Sequence, residues 1–195
     1  MRLPNLSPHD MTPRQRELSD RITQRRGHTR GPYIVWLYSP GMADRAEALA
    51  AYARYECSLP KKLREFSILI TARFWDAQYS WNSHVGKAIE AGISAETVQA
   101  ITEKRRPQFS MDDERVFFNF TMEILENHFV SDATFKEAQA MFGNEGLVDI
   151  LGCTGNFSML AMLLNTFQVD LQAARTPPFP DIQGFERVIN LDWKT

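Results

Sequence analysis

Residues 59–92 read LPKKLREFSILITARFWDAQYSWNSHVGKAIEAG. Pro60 can open a helix at its first turn, and the run from Lys61 to about Trp75 contains no breaker. Its apolar residues, Leu63, Phe66, Ile68, Leu69, Ile70, Phe74 and Trp75, point to several sides, so this helix is expected to be largely buried. Asp76 then offers a cap for a second helix, Ala77 to Ala91, ended by Gly92. No part of the stretch alternates apolar and polar residues as a half-buried strand would.

The flanks repeat that pattern. Thr12, Pro13 and Gln15 form a capping-box start for a helix that runs to about Arg26 and stops at Gly27. Gly31-Pro32 breaks the chain before the aromatic segment Tyr33 to Tyr38, and Ser39-Pro40-Gly41 breaks it again. The alanine-rich run Ala43 to Tyr55 is a strong helix former. Ser94 caps a short helix to about Lys104, Asp112 to His128 shows helical spacing, and Ser131 starts a helix ending near Gly143. Gly146 to Phe167 forms a last apolar one. The fold class is therefore all-α, with one helical domain over residues 1–170 and an irregular tail over 171–195, rich in proline around Pro177-Pro178-Phe179-Pro180.

The chain has 195 residues and a formal charge of −2, which gives no electrostatic reason to bind nucleic acid or an anionic membrane. No apolar run approaches the roughly 20 residues needed to cross a bilayer, and the N-terminus lacks a hydrophobic signal region. A cytoplasmic location is expected. An apolar terminal helix and an aromatic tail point to a homo-oligomer, a dimer, a trimer or a hexamer. The two cysteines, Cys57 and Cys153, lie far apart in no paired motif, which reads as two ordinary thiols rather than a disulfide framework or a zinc knuckle.

Glu65 is the single acid on the apolar helix. An ionised carboxylate there needs a partner or a raised pKa, which makes it a general acid or base candidate. The alternative is an ion pair with Lys61, Arg64 or Arg73 on a wet edge. On the next helix Ala77, Ser80 and His84 stand at i, i+3 and i+7 and share a face. His84 can transfer protons near neutral pH, with Ser80 one turn away to orient it; otherwise it is a structural histidine. No metal-ligand set, nucleophile elbow or glycine-rich phosphate loop is present, so neither a metal nor a cofactor is expected.

The run LP-x-x-LRE-x-x-IL-x-x-AR-x-W-x-A-x-Y-x-W-x-x-H resembles the carboxymuconolactone decarboxylase family, part of the alkylhydroperoxidase D-like superfamily. The likeness extends to GPYIVWLYSP at 31–40, AGIS at 91–94, SDATF at 131–135 and LLNTFQV at 163–169. It implies an alkylhydroperoxidase D-like multi-helix bundle. The peroxidase-type members carry a Glu, then Cys-x-x-Cys, then a His four residues on. Glu65 and His84 match the first and last, but Ala77 and Ser80 stand where the two cysteines would be, and neither Cys57 nor Cys153 can replace them by sequence position. Thiol-based peroxide reduction is thereby disfavoured.

The decarboxylase branch needs only a group that stabilises a dienolate and one that delivers a proton to carbon. The resemblance thus implies a cofactor-independent lyase or isomerase acting on a small cyclic unsaturated or lactone acid. His84 would donate the proton, Glu65 would orient it, and Tyr79 or Ser80 would donate hydrogen bonds. Arg73 would hold a substrate carboxylate, with Tyr33, Trp75 and Trp81 (and Trp36) lining an apolar pocket unless they are core. A thiol-dependent peroxidase and a non-catalytic ligand-binding or scaffold member are the competing readings.

Overall fold

A computed structural model describes residues 1–171 and Phe179. Helix α1, Pro13–Arg26, begins with the expected reciprocal cap between Thr12 and Gln15 and ends at Gly27 in the left-handed conformation, φ 81°. Two short segments follow, α2 (Pro32–Trp36) and α3 (Pro40–Ala51). The break read at Ser39-Pro40-Gly41 is in fact the start of α3: Pro40 occupies the first turn, where the amide hydrogen it lacks would have had no partner. The same helix does not stay α-helical to Tyr55. It widens at Tyr52–Glu56 into a π-helical turn, π1.

Helix α4 (Lys61–Phe74) is the central rod, with α5 (Gln78–Glu90), α6 (Ala95–Thr102), α7 (Asp112–Asn127), α8 (Asp132–Thr166) and π1 packed around it. Phe66 is fully buried, its ring meeting Phe109, Phe117 and Phe118 at 6.0–6.3 Å between centroids. Leu63, Leu69 and Ile70 complete the contact face with Val116 and Ile150 in the same core. No strand occurs among the described residues, and the all-α expectation holds.

Two local expectations change. Asp76 does not cap α5. It sits at φ 53° and its carboxylate is taken by Arg73 and Lys104, so Ala77 stands at the helix start without a side-chain cap. The two helices expected either side of Gly143 run on as α8, broken only at Gly143, where φ is 65° and ψ 179°.

Contrary to the sequence expectation, α8 is long and apolar enough by length and composition to cross a bilayer. Search for an unbroken apolar run missed it because Gly, Asn, Thr and Ser punctuate the helix. In the fold 61% of its most apolar window is buried against the other helices, as befits the core helix of a bundle. Of the tail, only Leu171 and Phe179 are described. The Phe179 ring meets Trp81 edge-on at 5.7 Å, and its carbonyl accepts a hydrogen bond from Gln78. The irregular course expected for the rest of 171–195 lies outside the described residues.

Candidate active site

Because α4 and α5 pack side by side, residues on their facing sides meet even though the chain separates them. Glu65 projects from α4 and His84 from α5. The His84 Nδ1 lies 2.7 Å from the Glu65 Oε2, with both side chains largely buried. A third group closes the cluster from π1. The Arg54 guanidinium stands 3.4 Å from the other ring nitrogen of His84, Nε2, and 3.8 Å from the Glu65 Oε1. Its side chain is 21% exposed against 6% for Glu65 and 12% for His84, so Arg54 is the member of the trio that reaches solvent.

The charges follow from this arrangement. Burial opposes ionisation of Glu65, but the His84 hydrogen bond and the nearby charges of His84, Arg54 and Lys87 outweigh it, and its carboxyl is held below the usual range. For His84, burial disfavours the imidazolium. Arg54 and Lys87 push the same way, and together they overcome the opposing pull of Glu65, so its pKa is lowered. At neutral pH the pair is therefore carboxylate and neutral imidazole. An ionised carboxylate can only accept, so Nδ1 carries the hydrogen and donates it to Glu65. This leaves the Nε2 lone pair directed at Arg54. The site has a base with its tautomer fixed and a cation beside it.

The other expected site residues divide sharply. Tyr33, on α2, is buried beneath the Arg26 guanidinium, which lies 4.5 Å over its ring, and burial pushes its phenol up to about 12. Arg26 is itself paired with the buried Glu47. Tyr79 packs its ring end against Gly31: a Cβ there would lie 2.5 Å from the Tyr79 hydroxyl, and φ at Gly31 is 63°. Ser80 lies half-buried one turn before His84. Ala77, at the other position where a cysteine would stand, is fully buried.

Trp81 is not a pocket wall. It is 2% exposed and packed edge-on to Phe179 in the core, and Trp36 is likewise buried. Arg73 does not join the trio either. It lies eight residues beyond Glu65, about 12 Å along the helix axis. There it donates to the Thr102 carbonyl, pairs with Asp76 and stacks over Phe179. With Trp75 it lines a separate surface depression of about 570 Å³ toward α6 and α7. The anion-binding role expected of Arg73 is thus open to Arg54, which the sequence reading missed. An arginine at the end of an alanine-rich helix carries no signal of its own, and the π turn that aims it is not legible from propensity. No group of three or more His, Cys, Asp or Glu arranged to hold a metal ion occurs among the described residues.

Residues 40–121, which include Arg54, Glu65 and His84, match the model of the carboxymuconolactone decarboxylase family. The chain is similar to the family over that stretch, 82 of its 195 residues. The fold agrees. A solved structure from Ralstonia eutropha, an uncharacterized peroxidase-related protein described as an alkylhydroperoxidase AhpD core, superposes with a TM-score of 0.73. It is 15% identical, over 88% of this chain and 92% of that one. An uncharacterized peroxidase-related protein from Silicibacter is similar to the chain with a TM-score of 0.70 and 13% identity, over 89% and 91%. At such identities the likeness is one of fold. No curated protein matches the chain. Within the matched region the Glu65–His84 pair spans the two helices of the stretch 59–92, and π1 adds Arg54 from the same region.

Proposed function

We propose that this protein belongs to the carboxymuconolactone decarboxylase family and is a cofactor-independent proton-transfer enzyme, an isomerase or decarboxylating lyase, acting on a small cyclic unsaturated or lactone acid. The observation that carries the reading is the 2.7 Å contact between Glu65 and His84 with Arg54 across the free ring nitrogen. Arg54 holds the substrate carboxylate and brings the adjacent carbon to Nε2. The neutral imidazole takes a proton from that carbon, the imidazolium is stabilised by Glu65, and the dienolate by Arg54. Return of the proton to the far end of the conjugated system completes an isomerisation and restores neutral His84. In the decarboxylating variant CO2 leaves first, and the imidazolium form gives its proton to the resulting carbanion.

The resting state supports the first arm, because a lowered His84 pKa leaves the ring ready to accept a proton. Thiol-dependent peroxidase chemistry fits this site poorly, since Ala77 and Ser80 offer no sulfur beside His84. The test is a chelator-treated sample assayed on a panel of lactone and cyclic unsaturated acids, for CO2 release and for deuterium uptake from heavy water. His84→Ala and Glu65→Gln are expected to lower any turnover at least about 100-fold, the usual worth of a positioned acid–base group. Turnover unaffected by both substitutions rules the site out.

A further inference from the structure

The two cysteines, 96 positions apart in sequence, meet in the fold. Cys57 Sγ and Cys153 Sγ are 3.9 Å apart, and both thiols face the Ala53 carbonyl oxygen, at 3.3 and 3.5 Å. They are the only cysteines in the chain, so the contact has no competitor within it. Sequence reading found no resolving partner for either thiol. The packing of π1 on α8 supplies one.

We propose that Cys57 and Cys153 are a redox-modification site, closing to an intramolecular disulfide when the folded protein meets a small hydroperoxide. Closure to a bond of about 2.05 Å needs the sulfurs to approach by roughly 2 Å. The two partners are unequal in the freedom to do so. Cys153 is fixed in the middle of α8, whereas Cys57 is the extended residue that ends π1, φ −61° and ψ 160°. Cys57 is also the more exposed, 7% against 1%. Burial, with the neighbouring Cys57 sulfur second, pushes the Cys153 thiol up and keeps it protonated. Cys57 is accordingly the sulfur that attacks.

The steps balance with hydrogen peroxide, a molecule small enough for so enclosed a place. The Cys57 sulfur attacks one peroxide oxygen, the O–O bond breaks, and a sulfenic acid and one water form. Cys153 then attacks the sulfenic sulfur, the S–S bond forms and a second water leaves. Two thiols lose two electrons to one peroxide. The product ties the end of π1, three residues from Arg54, to the core helix. The proposal is independent of the acid–base chemistry at His84: it needs neither Glu65 nor a substrate.

The full-length protein is treated with hydrogen peroxide at neutral pH, quenched, unfolded and exposed to a maleimide, and its intact mass is measured. The expected result is a mass 2 Da below the reduced chain with no maleimide added, a cross-linked peptide pair joining residues 57 and 153, and return to two adducts after dithiothreitol. The oxidised fold should melt roughly 10 °C higher, since the bond closes a loop of nearly a hundred residues, and Cys57→Ala should lose both the cross-link and the shift. Two maleimide adducts after oxidation, a gain of oxygen mass, or covalent dimers would overturn the proposal. So would an intramolecular disulfide that leaves the melting point unchanged or lower, because the bond would then not belong to the native fold. The mass of the unsubstituted protein decides the matter even if Cys57→Ala fails to fold.

Discussion

At the residue scale the chemistry comes down to which of three neighbours holds a proton. His84 has a carboxylate on one nitrogen and a guanidinium on the other, and burial decides that the ring is neutral. The direction of the shift fixes the pH profile. If neutral His84 is the working form, turnover is full at neutral pH and falls as acid protonates the ring, somewhere below the ordinary histidine value of about 6.5. If the imidazolium is the working form, turnover rises over that same range. A rate profile from pH 5 to 8 separates the isomerase arm from the decarboxylating one. Arg54 has its own signature. Arg54→Gln is expected to raise KM for acid substrates at least about tenfold, since it deletes a charge-assisted carboxylate contact. It should also let the His84 pKa climb, because one of the charges that lowers it is gone. A KM that does not move would return the anchoring role to another cation.

At the element scale the decisive feature is π1, the turn that carries Arg54 and ends at Cys57. It is held to α8 by Asp149, whose carboxylate accepts from the Tyr52 hydroxyl at 2.9 Å and from the Ser58 amide at 2.7 Å. Asp149→Ala strips both bonds and leaves the Ser58 amide without its carboxylate acceptor. A loss of about 2 kcal/mol in chemical unfolding is expected, together with weakened substrate binding as Arg54 loses its setting. Loss of stability with binding intact would show that π1 holds its shape without the clamp. This is also where sequence reading reached its limit. The capping box and terminal glycine of α1, Pro60 before α4, the Ser94 cap of α6 and the helical spacing within α7 made those helices legible, because such signals are local. The widening of α3 into π1 depends on contacts with a helix nearly a hundred residues away, and neither the course of Arg54 nor the meeting of Cys57 with Cys153 had any local trace. Glu65 and His84 could be singled out for the opposite reason: a lone acid on an apolar helix and a lone histidine on the next are conspicuous before any packing is known. Trp81 and Arg73 looked equally suited to a pocket, but composition cannot tell a core tryptophan from a pocket wall, nor an arginine paired with Asp76 from one that waits for a ligand.

At the scale of the whole molecule the site's electrostatics are linked to folding. His84 has a lower pKa folded than unfolded, so the unfolded chain binds its proton first and stability falls as pH drops from about 6.5 toward the lowered value. Glu65 is also depressed in the folded state, and its contribution is present above about 4.5 and lost as pH falls through its own lowered value. Both groups act in one direction, so urea midpoints are expected to decline on acidification below neutrality. His84→Gln, which cannot take up that proton, should flatten the upper part of the decline. A wild-type midpoint that rises between pH 7 and 5.5 would mean that the pair is stabilised as an ion pair instead.

The central claim, a neutral His84 with its hydrogen on Nδ1 and its lone pair toward Arg54, is open to direct measurement by nitrogen-15 NMR of the imidazole across a pH titration. The account predicts a protonated Nδ1 and an unprotonated Nε2 at pH 7, with a midpoint below about 6.5 that rises in Arg54→Gln. A ring protonated on both nitrogens at pH 7, or one carrying its hydrogen on Nε2, would contradict it.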